Sequence, residues 1–551
     1  MKKINNILIL MTMLFLASCE LNRVPETTLS DGQFWNTEND LKGACNRLYS
    51  LLDGFSHDSR ADDIIKSTSN NISDGSRSVP NTSSDWSDPY ESIYISNNIL
   101  AKAGKAEVKE SVLNRYLAEA YFFRAYNYFM LVQKYGDVPL ITRIITDTDD
   151  ELLYSARTPR EEVIQQCYAD LDYAATWLPT RATLATADWG RVTRSAALAL
   201  KERIGLYEGT YAKYHGLSSD YRAHLKVAID AAELVMKEGH TLYPDFQKLF
   251  TFDGEGPANK ENIFVKVYGP NGAGTITHGN SRQLENQVSV TRNILDSCLY
   301  ADGLPYSKTT LKPTTENSYD AALTNRDPRV AMSLYKIGED AYKGAFTPFT
   351  NQHGYGYGIK KGFMLTEWTT NSKETVDKML IRYAEVLLSY AEALYEYNGT
   401  ITDAQLNATV NAVRARAGFT VKLSNAFVTA NKLNMLNEIR RERIIEFIDE
   451  GLRYDDIIRW KIAEKVLPQN MLGGKFVATE TSKQRKDLAA RLVGADGKLN
   501  GLYVYNVPDI YVIELAANRV FDPAKDYLYP IPLDEISLSG GAVTQNPGWS
   551  N

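Results

Sequence analysis

Residues 113–136 read LNRYLAEAYFFRAYNYFMLVQKYG. Leu113, Leu117, Tyr121, Ala125 and Phe129 step by four, Phe122 and Tyr126 widen the stripe, and Gly136 marks the end. Apolar residues at that spacing fall on one face of a helix, and glycine is the usual residue past a helix C-terminus. Ala196, Leu200, Ile204, Tyr207 and Tyr211 repeat the pattern, as do Tyr383, Leu387, Tyr390, Leu394 and Tyr397. Small residues alternating with large ones let neighbouring helices approach and interlock. The expectation is a mainly α fold, a tetratricopeptide-like helical-repeat (α-α superhelix) scaffold. The units do not recur at a fixed 34-residue period, so long irregular insertions must separate them.

Three insertions are legible: 53–89, rich in Ser, Asn and Asp; 268–286, with Gly-Pro-Asn-Gly-Ala-Gly; and 338–371, with Gly344, Gly354, Gly356 and Gly358 among aromatics. Such composition marks loops on a scaffold. Few short strands are expected, around Ile263 to Tyr268, and residues 465–505 lack periodicity. No alternation of strands and helices supports a doubly wound sheet.

The N-terminus carries a different signal. Lys2 and Lys3 precede an apolar run from Ile7 to Ala17, followed by Leu16-Ala17-Ser18-Cys19. This is a charged n-region, a short h-region and a small-residue cleavage site, shorter than the roughly 20 apolar residues of a membrane-spanning helix. The tetrapeptide resembles a bacterial lipobox, which predicts a signal peptide over 1–18, acylation of Cys19 and a tether over 19–33. Acyl chains contribute about 0.8 kcal/mol per buried CH₂, so the body is expected to be anchored to a membrane through lipid alone. Residues 34–551 then form a single body, with an N-terminal part to about 260 and a C-terminal part from about 261.

Composition narrows the function. The 551 residues carry 61 Lys and Arg against 68 Asp and Glu, a net charge of -7, with no dense basic stripe. Nucleic acid is not an expected partner. Cys45, Cys167 and Cys298 are scattered without a CxxC, which predicts buried thiols and no disulfide framework. None of the six histidines forms a compact ligand pair, no Gly-x-Ser-x-Gly elbow occurs, and paired acids such as Asp62-Asp63 do not set the separation a glycosidase needs. No catalytic residue, metal or cofactor is therefore assigned. Thirty-four tyrosines and seven tryptophans against 18 phenylalanines give most of the aromatic surface a polar handle.

Taken together, several stretches resemble one family. They are Glu119-Ala-Tyr-Phe-Phe-Arg124, Tyr135-Gly-Asp-Val-Pro-Leu140, Gly190-Arg-Val-Thr193, Arg326-Asp-Pro-Arg329, Arg382-Tyr-Ala-Glu385, Asn411-Ala-Val-Arg414, Glu442-Arg-Ile-Ile-Glu446, Glu450-Gly-Leu-Arg453, Tyr529-Pro-Ile-Pro532 and Gln545-Asn-Pro-Gly-Trp549. In this order behind a lipobox they resemble the SusD/RagB family of outer-membrane nutrient-binding lipoproteins, over nearly the whole mature chain. The resemblance implies a non-catalytic, surface-exposed protein that captures oligosaccharide and acts as the lid of a TonB-dependent, SusC-like transporter. A lipid-anchored glycoside hydrolase and a purely structural helical scaffold are the alternatives.

Glu442, Glu446 and Glu450 share one helix face with Arg440, Arg441, Arg443 and Arg453 nearby, a pattern better explained by interhelical ion pairs than by acid–base chemistry. A sugar site instead needs aromatics interleaved with planar polar groups on loops. Asp63, Arg77, Asn81 and Trp86 from the first insertion, Tyr268 and His278 from the second and Trp368 from the third are the candidate ligand residues, with Tyr355 and Tyr357 beside Trp368. Trp86 also opens a helical-entry pattern with Tyr90, Ile93 and Asn97, so packing is its alternative role.

Overall fold

A computed structural model describes residues 34–550, apart from 67–68, 218–219, 272–273, 287, 343, 349–355, 476–501 and 504–509. The signal, Cys19, the tether and Tyr355 lie outside the described residues. The principal helices are α1 (Glu38–Ser50), α2 (Ser84–Lys102), α3 (Glu110–Tyr135), α4 (Arg160–Trp177), α5 (Arg194–His215), α6 (Tyr221–Met236), α7 (Tyr383–Asn398), α8 (Met435–Glu446), α9 (Arg453–Arg459) and α10 (Leu533–Leu538). Consecutive members from α2 to α6 pack on one another, and α7 returns from the C-terminal half to lie on α5 and α6.

Local sequence sets these elements. Thr37 and Asp40 form a reciprocal capping box at the start of α1, Thr193 caps α5 and Asp220 caps α6. Helix α5 ends at Gly216 and α7 at Gly399, both left-handed. Gly205 and Gly209 let α6 press onto α5: a Cβ at Gly205 would stand 2.8 Å from the Ala228 nitrogen, and one at Gly209 2.7 Å from Leu225 Cγ. Neither contact is tolerable for a larger residue.

One core runs through the helical stack, from Leu41 on α1 through Phe122 and Tyr128 on α3 to Leu388 on α7. A second gathers the mid-chain insertions around Val290, Tyr319, Tyr335 and Tyr357. Strands are short: β1 (Ile64–Lys66) pairs antiparallel with β3 (Val288–Val290), and β2 (Asn262–Lys266) with β4 (Lys378–Arg382), the latter with register shifts. The mainly α expectation and the strand near Ile263 agree with this architecture. Tyr357 departs from its reading as a loop aromatic. Its backbone exchanges hydrogen bonds with Val290 (2.8 and 2.9 Å), which carries its ring into the second core against Tyr319, fully buried. Cys45, Cys167 and Cys298 are buried free thiols.

The expected common helix face holds only Glu442 and Glu446, because α8 ends at Glu446 and Glu450 follows in the turn beyond it; the three carboxylates still form one ion-pair lattice, with partners that differ from their neighbours in sequence. Glu442 takes Arg329 and Arg414 (2.8 Å), Glu446 takes Arg329 (3.0 Å), Arg382 (2.7 Å) and Arg416, and Glu450 takes Arg382 (2.7 Å) and Lys361 (2.5 Å). The expected cations go elsewhere: Arg440 to Glu396, Arg441 to Glu438, Arg443 to Asp456 and Arg453 to Asp62. Successive helical residues turn by about 100°, so positions next in sequence to a buried glutamate face other elements.

Candidate functional site

Two adjoining cavities lie where the first insertion crosses the helical stack. The larger, about 580 Å³, is walled by the 53–60 segment, by α3, α5 and α9, and by β4. The smaller, about 110 Å³, shares Phe55, Ser56, His57 and Lys378 with it and extends toward Phe250 and Asn280. Two lysines hold the dividing segment in place: Lys378 Nζ donates to the Gly54 carbonyl (2.6 Å) and Lys266 Nζ to that of Leu52. Burial depresses both ammonium groups, and neither forms an ion pair among the described residues.

The larger cleft has a polar wall whose charges are mostly spent internally. Arg60 grips Asp58 in a fork (2.9 and 2.7 Å), donates to the Tyr529 hydroxyl (2.9 Å) and lies 4.3 Å over the Tyr454 ring. Burial opposes ionisation of Asp58, yet the Arg60 guanidinium holds its carboxyl below the usual range. Lys134 pairs with Asp85 at 2.6 Å, and Arg203 with Glu385 at 2.6 Å. Burial pushes Asp455 up despite nearby Arg60, with Asp58 and Asp456 adding to the effect; Gln133 donates to it at 3.1 Å.

Phenols line the same cleft. Tyr126 of α3, Tyr207 of α5 and Tyr454 of α9 all line the cleft, and their hydroxyls have no hydrogen-bond partner among the described residues. Burial keeps each phenol protonated, Tyr126 being pushed up to about 12. A neutral phenol both donates and accepts, which suits the hydroxyls of a sugar. The rings of Tyr207 and Tyr454 are themselves packed, Tyr207 stacked on Tyr211 and Tyr454 beneath Arg60, so what the cleft offers a ligand is a set of uncommitted neutral hydroxyls.

Of the seven loop candidates, none lines the larger cleft. Tyr268 and His278 come together around Phe55, which borders both cavities, with ring centroids 5.9 Å and 4.3 Å from it. His278 is fixed there, Nε2 donating to the Val376 carbonyl (2.9 Å) and Nδ1 accepting from the Asn280 N–H (3.1 Å), and burial lowers it to about 4, so it is neutral at pH 7. Trp368 donates to Glu285 at 2.6 Å and carries the Arg282 guanidinium 3.8 Å over its ring. Asp63 is buried at the β1–β3 junction, where burial pushes its carboxyl well up. Arg77 is sandwiched between the rings of Tyr529 (4.4 Å) and Trp549 (5.0 Å). Asn81 is exposed, and its carbonyl accepts from the Asp534 N–H. Trp86 sits in the first turn of α2, 4% exposed, packed on Tyr90 and Tyr135.

The cleft tyrosines escaped loop-based reasoning because they sit in helices, Tyr126 and Tyr207 within stripes that read as packing faces. The available signal was tyrosine where phenylalanine would pack as well. One acid–histidine group also appears: ligand atoms of His278, Glu367 and Glu374 lie within 4.8 Å of one another. Both carboxylates already accept backbone N–H groups, Glu374 from Ser281 (2.8 Å) and Arg282, Glu367 from Thr375 and Val376 (3.2 Å), so the group closes loops.

Comparison with known proteins places this architecture. Residues 260–549 match the SusD family profile, and residues 40–206 match one described as starch-binding associating with outer membrane. The chain is 26% identical to SusD-like protein P2 of Formosa agariphila over 582 aligned residues, 99% of each chain. It superposes on a SusD-like carbohydrate binding protein of Bacteroides fragilis with TM-score 0.71 at 25% identity, covering 92% of this chain and 99% of that one. A laminarin binding SusD-like protein shares the fold at TM-score 0.63 and 19% identity, covering 93% of this chain and 100% of that one.

Proposed function

This chain belongs to the SusD family, and from that membership we propose that it is a non-catalytic surface glycan-binding lipoprotein, taking oligosaccharide in the cleft beneath the 53–60 segment. The observation that carries the site is a ligand-sized cleft lined by Tyr126, Tyr207 and Tyr454, whose hydroxyls have no partner among the described residues. The fold relative that binds carbohydrate and the starch-binding profile over residues 40–206 support the ligand class. The profile also associates the family with the outer membrane, and no helix of the described residues is long and apolar enough to cross one. Anchoring then falls to Cys19, and delivery to a TonB-dependent, SusC-like transporter over which the body moves as a lid.

Isothermal calorimetry of the chain from residue 20 onward against neutral and acidic oligosaccharide panels tests the ligand. Binding of one class without reducing-sugar release is expected, and failure of every panel member overturns the reading. Copurification with a barrel transporter tests the partner, and uptake that continues when crosslinks hold the body closed overturns the lid.

A further inference from the structure

A third cavity, about 610 Å³, opens between the first turns of α2, the 139–155 segment and α10. Its floor is Trp86, Tyr90 and Ile93, and its rim carries Tyr94, Leu153, Tyr154 and Leu538, which are 56%, 40%, 53% and 74% exposed. Four large apolar side chains left in water around one groove mark an interaction surface more than a folding necessity. The polar groups that face it are largely consumed: Tyr90 donates to the Pro139 carbonyl (2.8 Å), and Asn97 is held by Arg124 and the Ile141 carbonyl (2.9 Å each). A polyhydroxylated ligand would find few partners there.

Charge around the groove is mainly negative, with Arg143 on the lining and Arg157 near Tyr90 as the nearby cations. Glu535 lines it, Asp88, Asp147, Asp149, Glu151 and Asp534 lie within two positions of lining residues in the chain, and none of the six forms a salt bridge among the described residues. Arg143, the cation on the lining, is spent on Asp150 (2.5 and 2.8 Å). We infer that this groove docks an amphipathic segment of a partner protein, whose apolar stripe enters between α2 and α10 and whose flanking lysines or arginines meet the acidic rim. Helix-in-groove recognition uses anchors at i, i+3, i+4 and i+7, and the rim charges would set orientation and rate of encounter. A second copy is disfavoured because this chain is itself acidic, with net charge -7, and an anionic membrane surface is repelled by the same rim. The inference does not rest on the glycan cleft.

Fluorescence anisotropy of the purified chain with synthetic peptides tests it. One peptide of about 14 residues carries leucines at i, i+3, i+4 and i+7 with lysine flanks, a second has glutamate flanks, and a third scrambles the leucines around the helix. The lysine-flanked peptide should bind about tenfold tighter than either control. The exposed-residue variant Tyr94→Ser/Leu538→Ser should lose that binding, and Asp147→Asn/Asp149→Asn/Glu151→Gln should erase the lysine preference while leucine-dependent binding persists. Equal binding of all three peptides, binding that survives both variants, competition by neutral oligosaccharide, or a self-association abolished by Leu538→Ser each overturns the inference.

Discussion

Arg453, at the start of α9, holds Asp62 of the first insertion through both carboxylate oxygens at 2.8 and 3.0 Å, joining positions 391 residues apart. Both side chains are nearly buried, 13% and 10% exposed. The pair ties the insertion that frames the cleft to the C-terminal half, so the site and the fold share one fastening.

Removing one partner strands the other charge. Asp62→Ala should destabilise the chain by about 3 kcal/mol, whereas Asp62→Ala/Arg453→Leu should recover much of the loss, because an unpaired buried charge costs more than an apolar pair. Urea unfolding midpoints measure both. Equal loss in the single and double variants would show that the pair is not coupled.

Acid should loosen the α8 lattice. Burial favours neutral Glu446, but Arg416, Arg382 and Arg329 overcome it and hold the carboxyl far below the ordinary 4.5. Because the folded state keeps this group ionised more readily than the unfolded chain, its stabilisation is full above 4.5 and is lost as pH falls below that value. The acid limb of a stability–pH curve should flatten in Glu446→Gln, which should also be less stable at neutral pH.

Glu255 runs the other way. Burial raises it to about 7 in spite of a hydrogen bond from the Asp377 N–H, and the carboxylates of Asp377 and Glu367 add to the rise. The folded state then binds a proton more tightly than the unfolded chain, so stability should decline as pH climbs from 4.5 to about 7. Carboxyl carbon NMR should show a midpoint near 7, and Glu255→Gln should remove that part of the pH dependence; a midpoint at 4.5 would contradict the assignment.

Cleft and loop aromatics should separate by assay. Tyr126→Phe and Tyr207→Phe remove only hydroxyls without partners among the described residues, so each should weaken glycan binding by about 1 kcal/mol, roughly fivefold, with little change in unfolding. Trp368→Ala strips a hydrogen bond to Glu285 and the surface under Arg282, and should lower stability. Calorimetry and thermal unfolding on the same variants distinguish the roles; an unchanged affinity in both tyrosine variants would move the site elsewhere.

The sequence made the helices legible because their signal is local. The four-residue steps on α3, α5 and α7 and the glycine at 136 act within a few residues of themselves, and the structure follows them. The pairing of Glu442, Glu446 and Glu450 was legible in kind for the same reason: buried carboxylates demand cations. Which cations was not legible, since Arg329, Arg382, Arg414 and Arg416 come from other elements.

By itself, then, the sequence determined the helical scaffold, its loop-rich insertions, its acidic character and its likeness to one family. Tertiary structure alone decided that Tyr357 and Trp86 are packed inside, that Tyr268 and His278 meet around Phe55, and that helix-borne Tyr126, Tyr207 and Tyr454 share one cleft. The physical reason is distance along the chain. Periodicity and capping are fixed by neighbours, whereas a cavity is the space left between elements hundreds of residues apart, and no local pattern encodes which side chains will face it.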